Sequence, residues 1–222
     1  MWALGSLPVN ARILDLAAGT GKLTEAVLRR GVPAAAVLAV EPDDDMRAQL
    51  SRLLPAVEVR SGAAEQIPAE DEAVDAVVVG QAFHWFDADR ALEEIARVLR
   101  PGGVLAAMGN DVDESVGWVA EMTSAAQMPQ SSGVVGRGSA ELPSHPAFGN
   151  PEARQFGWSW PRTIDSLLDT ISTHSWAVTS PPDQRAASFA AIRRFLQTHP
   201  STREGSFEIP MRTQVVRVTR RG

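Results

Sequence analysis

The sequence contains no cysteine, no tyrosine and a single lysine, Lys22, against twenty arginines. Without cysteine there are no disulfide bonds and no thiolate metal ligands, and without tyrosine there is no tyrosine–lysine catalytic pair. No uncharged apolar run reaches the roughly 18 residues of a membrane helix, and the N-terminus lacks the basic start and long apolar stretch of a secretory signal. We therefore expect a cytoplasmic protein that does not span a membrane.

A basic stripe is also missing. Residues 1–111 contain 17 acidic and 10 basic side chains, a net charge of −7, whereas residues 112–222 have a net charge of +1. Nucleic-acid affinity depends largely on Lys and Arg side chains that neutralise phosphates, so we expect no nucleic-acid partner. A length of 222 residues suits one α/β domain.

The first 110 residues alternate short β-branched runs with segments of helical periodicity, which indicates βαβ units and a parallel sheet covered on both faces. The predicted strands are 12–17, 36–41, 57–60, 73–80 and 104–108, and the predicted helices begin near Gly21, Asp43 and Asp87. Five strands and their crossovers within about 110 residues are the density of a doubly wound sheet.

The second half has a looser pattern. It predicts helices at 113–126 and 163–173, a Gly-, Ser- and Pro-rich loop at 128–151, a strand at 154–160, a helix capped by Ser180 that runs to 198, and a last, antiparallel strand at 207–219. The expected fold is a single Rossmann-like domain with a seven-stranded, mostly parallel sheet. Residues 1–110 would form its cofactor-binding half, and residues 111–222 its acceptor-side half and cap.

The stretch Asp15-Leu-Ala-Ala-Gly-Thr-Gly21 ends the first strand and opens the first helix. Its small residues allow a sharp turn and close approach of a ligand to the main chain. Twenty residues further on, Glu41 ends the second strand, where a carboxylate can accept both hydroxyls of a ribose. A tight turn beside a surface glutamate would give the same pattern.

Phosphate ligands fit this loop poorly. A P-loop requires Ser or Thr after its lysine, whereas Leu23 follows Lys22. The A-x-G-x-G spacing is shorter than the G-x-G-x-x-G of nicotinamide-binding folds, and Asp15 would repel a pyrophosphate but attract a cation. The loop therefore favours a positively charged ligand.

The segment ILDLAAGTGKLT resembles the first motif of class I S-adenosylmethionine-dependent methyltransferases, with Ala17 at the place of the first glycine. Four further blocks, VLAVEPDDDM, SGAAEQIP, VDAVVVGQAFHWFD and ARVLRPGGVLA, resemble later motifs of that family in the same order. With STHSW and IPMRTQVVRVTR, they are similar to the methyltransferase type 11 and trans-aconitate methyltransferase branch. The resemblance covers nearly the whole chain, which we expect to be short at its N-terminus.

This resemblance implies S-adenosylmethionine as cofactor. It assigns Asp15 to the amino-acid end of the cofactor, Glu41 to its ribose hydroxyls, and Gly19 and Gly21 to close backbone approach. The remaining implied cofactor-binding residues are Ala17 and Thr20 in the loop, Pro42, Met46, Ala64 and Glu65 near the adenine, and Gln81 and Ala82 near the transferable methyl group.

Methyl transfer from a sulfonium is an in-line displacement, and alignment of the reactants alone can supply ~7 to 11 kcal/mol of barrier reduction. A carboxylate acceptor needs no base, whereas for a hydroxyl acceptor His84 is the best catalytic candidate because a histidine pKa lies near operating pH. Alternatively, His84 and Trp85 only pack or position the acceptor. Trp85 and Trp176 are the predicted substrate residues, and no metal site is predicted.

The predicted function is therefore S-adenosylmethionine-dependent methylation of a small molecule, at a carboxylate or hydroxyl oxygen. A catalytically impaired cofactor-binding protein is the first alternative, because Ala17 and Ala63 depart from the family pattern. A nicotinamide-dependent oxidoreductase is the second.

Overall fold

The computed structural model describes residues 2–5, 7–8, 10–125, 141–173 and 175–222, the last range without the side chains of Ser175 and Trp176. The strands are β1 (Ile13–Leu16), β2 (Val37–Val40), β3 (Glu58–Arg60), β4 (Val74–Gly80), β5 (Leu99–Val112), β6 (Glu152–Thr163) and β7 (Ser206–Thr219). The helices are α1 (Lys22–Leu28), α2 (Asp44–Leu53), α3 (Ala88–Val98), α4 (Gly117–Ala125), α5 (Ile164–Ser172), α6 (Ser175–Thr179) and α7 (Pro182–Thr198).

The seven strands form one sheet in the order β3-β2-β1-β4-β5-β7-β6. The pairs β1–β2, β1–β4, β2–β3 and β4–β5 are parallel, and β7 is antiparallel to both β5 and β6. This confirms the predicted fold class, a mostly parallel Rossmann-like sheet with an antiparallel last strand.

The strand order places a topological switch point beside β1. From β1 the chain proceeds outward through β2 and β3, then returns to the other side of β1 with β4 and β5. Leu16 pairs with Val40, and Asp15 pairs with Val78, so the carboxyl ends of β1, β2 and β4 lie at one edge of the sheet. Open α/β sheets bind ligands in the crevice outside such an edge.

Side-chain caps fix two of the helices that start at this edge. The Asp43 carboxylate accepts a hydrogen bond from the Met46 amide at the start of α2, and the Asp87 carboxylate accepts one from the Arg90 amide at the start of α3. The predicted cap of α7 is wrong by one residue: Pro181 is the N-cap, and the helix starts at Pro182.

The chain forms two compact units, one made of Met1–Met108, Ser139–Arg154 and Val215–Gly222, the other of Gly109–Gly138 and Gln155–Gln214. The first unit buries the β-branched and leucine side chains of β1, β2 and β4 against α3. The second has its own core, with Leu167, Ile192 and Ile209 among its buried residues. Most of the predicted 128–151 loop lies outside the described residues, and those from 141 to 151 form neither helix nor strand.

Candidate functional site

The turn between β1 and α1 adopts a backbone that ordinary side chains avoid. Ala17, Gly19 and Gly21 all have positive φ angles, of 55°, 57° and 88°. The Ala18 amide donates to the Val40 carbonyl at 3.0 Å, which ties the turn to the end of β2. Left-handed backbone costs a non-glycine residue roughly 1–2 kcal/mol, so Ala17 is a strained residue at the edge of the sheet.

The two glycines of this turn have different reasons to be glycine. A Cβ atom on Gly21 would lie 2.9 Å from Cγ of Leu50, so the close packing of the turn against α2 excludes a side chain there. A Cβ atom on Gly19 would meet only Sδ of Met46, at 4.0 Å, among the described residues. Gly19 therefore borders open space, where a ligand can approach the main chain.

Glu41 joins the turn to the start of α2. The residue is 5% exposed, Oε2 accepts the Gly19 amide at 2.7 Å, and Oε1 accepts the Asp43 amide at 2.9 Å. A carboxylate has about four acceptor positions, so each oxygen retains capacity for a further donor.

Asp15 is fully buried beneath the same turn. Its Oδ2 accepts a hydrogen bond of 2.6 Å from the hydroxyl of Thr24, and its Oδ1 is buried without a hydrogen-bond partner among the described residues. Burial raises the pKa of Asp15 to about 7, the nearby Glu41 carboxylate adds to the rise, and the hydrogen bonds from Thr24 oppose it.

Thr24 is a site residue that the sequence reasoning missed. It is fully buried on α1, on the helix face that also buries Val27. Buried hydroxyls need a partner, so a threonine on an otherwise apolar helix face, one turn after the glycine loop, was the available signal.

The 62–72 segment is attached to α3 and its preceding cap. Glu65 accepts the Asp87 amide at 2.9 Å, and Ala64 is buried in the core of the first unit. Pro42 and Met46 are exposed, Met46 to 47%. The predicted adenine-side residues therefore divide into a buried Ala64, a hydrogen-bonded Glu65 and two exposed apolar side chains.

Beyond β4 the chain forms a short 3₁₀ turn, Phe83–Trp85, that buries Phe83 and exposes His84 and Trp85. Gln81 has a φ angle of 57°, and its backbone N–H donates a hydrogen bond to the Met108 carbonyl at 2.8 Å. The His84 and Trp85 rings lie 4.8 Å apart, and Trp85 is 71% exposed. Such an exposed aromatic pair at the edge of the sheet suits contact with an apolar or planar molecule.

All the predicted cofactor residues, together with His84 and Trp85, belong to the first unit. Trp176 belongs to the second unit, where its backbone lies in α6 and its side chain is outside the described residues. Among the residues described, no three His, Asp or Glu side chains form a group that could hold a metal ion, and no helix is long and apolar enough to cross a membrane.

The sheet and this turn define a doubly wound α/β protein with a glycine loop at its switch point. A family model described as a methyltransferase domain matches residues 14–107. The chain is 39% identical over 215 residues to the uncharacterized methyltransferase Rv3342 of Mycobacterium tuberculosis, a match that covers 96% of this chain and 85% of that protein. It therefore belongs to the class I S-adenosylmethionine-dependent methyltransferases.

Two further comparisons agree. A solved structure from Anaeromyxobacter dehalogenans, described as a type II methyltransferase, is 26% identical with a TM-score of 0.71 and covers 99% of this chain and 93% of that chain. Malonyl-(acyl-carrier protein) O-methyltransferase of Methylococcus capsulatus is 41% identical over 103 residues, which is 45% of this chain and 37% of that protein.

Proposed function

We propose that the chain binds S-adenosylmethionine at the carboxyl edge of β1, β2 and β4 and methylates an oxygen atom of a small molecule. The observation that carries the proposal is the left-handed turn at 17–21, which Glu41 holds at Gly19 while open space remains above that glycine. The site is composed of donors and acceptors suited to an adenosyl compound with a cationic amino-acid end.

The residues fit that cofactor by their chemistry. The two Glu41 oxygens, each already bound to one backbone amide, have capacity to accept ribose hydroxyls. Asp15 is fully buried two residues before the left-handed Ala17, and its carboxylate, when ionised, would attract a cationic amino group. Thr20, Pro42 and Met46 would border the adenosyl part, and Gln81 and Ala82 the methionine part.

Bound S-adenosylmethionine supplies a methyl group on a sulfonium centre. The chain then has to orient the acceptor and exclude water. Orientation of the two reactants is the largest contribution to catalysis that we expect from the chain. Trp85, which is exposed at the edge of the sheet, is proposed to orient an acceptor. For a hydroxyl acceptor, His84 would take the proton as the oxygen–methyl bond forms and the carbon–sulfur bond breaks; for a carboxylate no proton is transferred.

Oxygen as the methylated atom is supported by the partial similarity to malonyl-(acyl-carrier protein) O-methyltransferase, whose name states O-methylation. Because that similarity covers only 45% of this chain, the acceptor of this protein has to be identified by a direct assay.

The test has two stages. Calorimetry with S-adenosylhomocysteine measures cofactor-site binding, and transfer of a labelled methyl group to panels of carboxylic acids and of small hydroxyl compounds measures turnover. We expect binding, and turnover with at least one oxygen acceptor. Gly19→Arg should abolish binding, since its side chain would fill the open space at that position.

The results separate the alternatives. Absence of binding by a folded wild-type protein would contradict the cofactor site, and unchanged affinity of Gly19→Arg would contradict its placement at the turn. Binding without turnover on any acceptor would instead favour a catalytically impaired cofactor-binding protein. Methylation confined to nitrogen acceptors in a wider panel would contradict the proposed oxygen chemistry.

A further inference from the structure

Three buried side-chain polar atoms of the described residues have no hydrogen-bond partner, and Oδ1 of Asp15 is the one that belongs to a carboxyl group. An unpaired buried acceptor is costly, and native structures keep few of them. Asp15 lies two residues before the left-handed Ala17, so the unpaired oxygen is close along the chain to the ligand turn. On that side the carboxyl group has no donor among the described residues.

The other oxygen of Asp15 is fixed by Thr24. The Thr24 hydroxyl is fully buried and donates to Oδ2 over 2.6 Å. A short bond of this kind orients the carboxyl group and stabilises its ionised form. Glu41, at the end of β2, is the charged group of the described residues that acts on Asp15, and it raises the Asp15 pKa where Thr24 lowers it.

We propose that Thr24 is a positioning residue of the cofactor site: its hydroxyl fixes the Asp15 carboxyl group beside the glycine turn, where the buried carboxylate attracts the cationic amino group at the amino-acid end of the ligand. This inference rests on the proposed function. Removal of the hydroxyl would leave a carboxyl group that ionises less readily and attracts a cation less. Burial and Glu41 would still disfavour the ionised form, and of the two Thr24 hydrogen bonds only the one from the backbone would still favour it.

Two ligands separate this role from a general effect on the fold. S-adenosylhomocysteine carries the amino-acid end, whereas 5′-methylthioadenosine shares the adenosyl part and lacks that end. Calorimetry between pH 6 and pH 8.5 should show wild-type affinity for S-adenosylhomocysteine rising with pH as Asp15 ionises. Affinity for 5′-methylthioadenosine should be nearly independent of pH over the same range.

Thr24→Val, which keeps the shape and removes the hydroxyl, should weaken S-adenosylhomocysteine binding at pH 7 by about tenfold. The ionised form of Asp15 loses one hydrogen bond in this variant, so a smaller fraction of the protein holds the carboxylate that attracts the ligand. The variant should also move the rise in affinity to higher pH and leave 5′-methylthioadenosine unchanged. Thr24→Ala, which avoids an extra buried methyl, should behave in the same way, and Thr24→Ser should restore the wild-type profile.

Thr170→Val is the matched control, because the Thr170 hydroxyl donates to the Ser166 carbonyl within α5, in the second unit. It should leave both affinities unchanged. Equal losses for both ligands at every pH, a wild-type profile without pH dependence, or variants identical to the wild type would each overturn the role of Thr24. A folded wild-type protein that binds neither ligand would overturn the proposed function instead.

Discussion

The amide nitrogen of Gly19 lies 2.7 Å from Oε2 of Glu41, so a carboxylate directly after β2 holds the turn that follows β1. The second oxygen of Glu41 binds the Asp43 amide at the start of α2. One side chain therefore fixes two backbone segments on either side of the space above Gly19. In this arrangement the proposed ribose acceptor also shapes the turn, and each of its two oxygens accepts one backbone amide.

Glu41→Gln should weaken the binding of S-adenosylhomocysteine at least tenfold. Glutamine has one carbonyl oxygen where glutamate has two carboxylate oxygens, so either the Gly19 amide or the Asp43 amide loses its acceptor, at about 1–3 kcal/mol for a buried group. Calorimetry measures the affinity, and urea unfolding measures the accompanying loss of stability.

Glu58→Gln is the control for this change, since Glu58 is an exposed residue on β3 that pairs with Arg60. It should leave both quantities close to the wild type, because exposed ion pairs contribute little. Wild-type affinity in Glu41→Gln would mean that Glu41 has no part in ligand binding.

Ala17→Gly should raise the free energy of unfolding by up to about 1 kcal/mol. The left-handed backbone at Ala17 costs an alanine roughly 1–2 kcal/mol, whereas glycine adopts it freely and loses only part of the gain to the entropy of its unfolded chain. Ala18→Gly, at a buried neighbour without a positive φ angle, should instead lower stability by about 1 kcal/mol. Urea unfolding compares the two, and equal losses would contradict strain at Ala17.

Much of the fold could be predicted because alternation of β-branched runs with helical periods is a local property of the sequence. The bounds of β5 could not: the predicted strand begins at Val104, whereas the observed strand begins at Leu99. Leu99 pairs with Val74 and Val104 with Ala76, so a register shift accommodates the residues between them. The turn signal of Pro101, Gly102 and Gly103 is retained as this irregularity, in which Gly102 has a φ angle of 78°, while pairing with distant strands extends β5 to Leu99.

The candidate site, like the fold, could be predicted only where it depends on local sequence. Asp15, Glu41 and the glycine turn could be predicted as cofactor-binding residues, because charge and backbone freedom follow from the amino-acid type. Thr24 could not be singled out among the polar residues of the sequence, because its role depends on the packing that brings its hydroxyl to Oδ2 of Asp15. Tertiary packing also excludes a side chain at Gly21 and leaves space at Gly19. This difference between the two glycines cannot be predicted from the spacing of the motif.

The two glycines should respond differently to alanine. Gly21→Ala places a methyl group 2.9 Å from Cγ of Leu50, so overpacking should cost about 1–3 kcal/mol beyond the backbone strain. Gly19→Ala meets nothing closer than Sδ of Met46 at 4.0 Å, so it should cost only the strain while weakening S-adenosylhomocysteine binding. Unfolding and calorimetry on both variants test this, and a larger loss of stability in Gly19→Ala would contradict the packing described.

Asp15 should make the protein less stable as pH rises from about 4 to about 7. Its pKa is about 7 in the folded state against 3.8 in the unfolded chain, so within this interval the folded state retains a proton that the unfolded state releases. A raised carboxyl pKa therefore favours folding at low pH, and this contribution is lost by the time pH exceeds the folded pKa.

Asp15→Asn removes that titration, so the stability of the variant minus that of the wild type should increase steadily between pH 4 and pH 7 and stay constant above about pH 8. Urea unfolding of both proteins at each pH gives the difference, in which the other titrating groups cancel. Asp169→Asn, at an exposed aspartate on α5, should show no such increase. A flat difference for Asp15→Asn would mean that Asp15 is ionised throughout this range, and its burial would then have to be compensated by a donor other than Thr24.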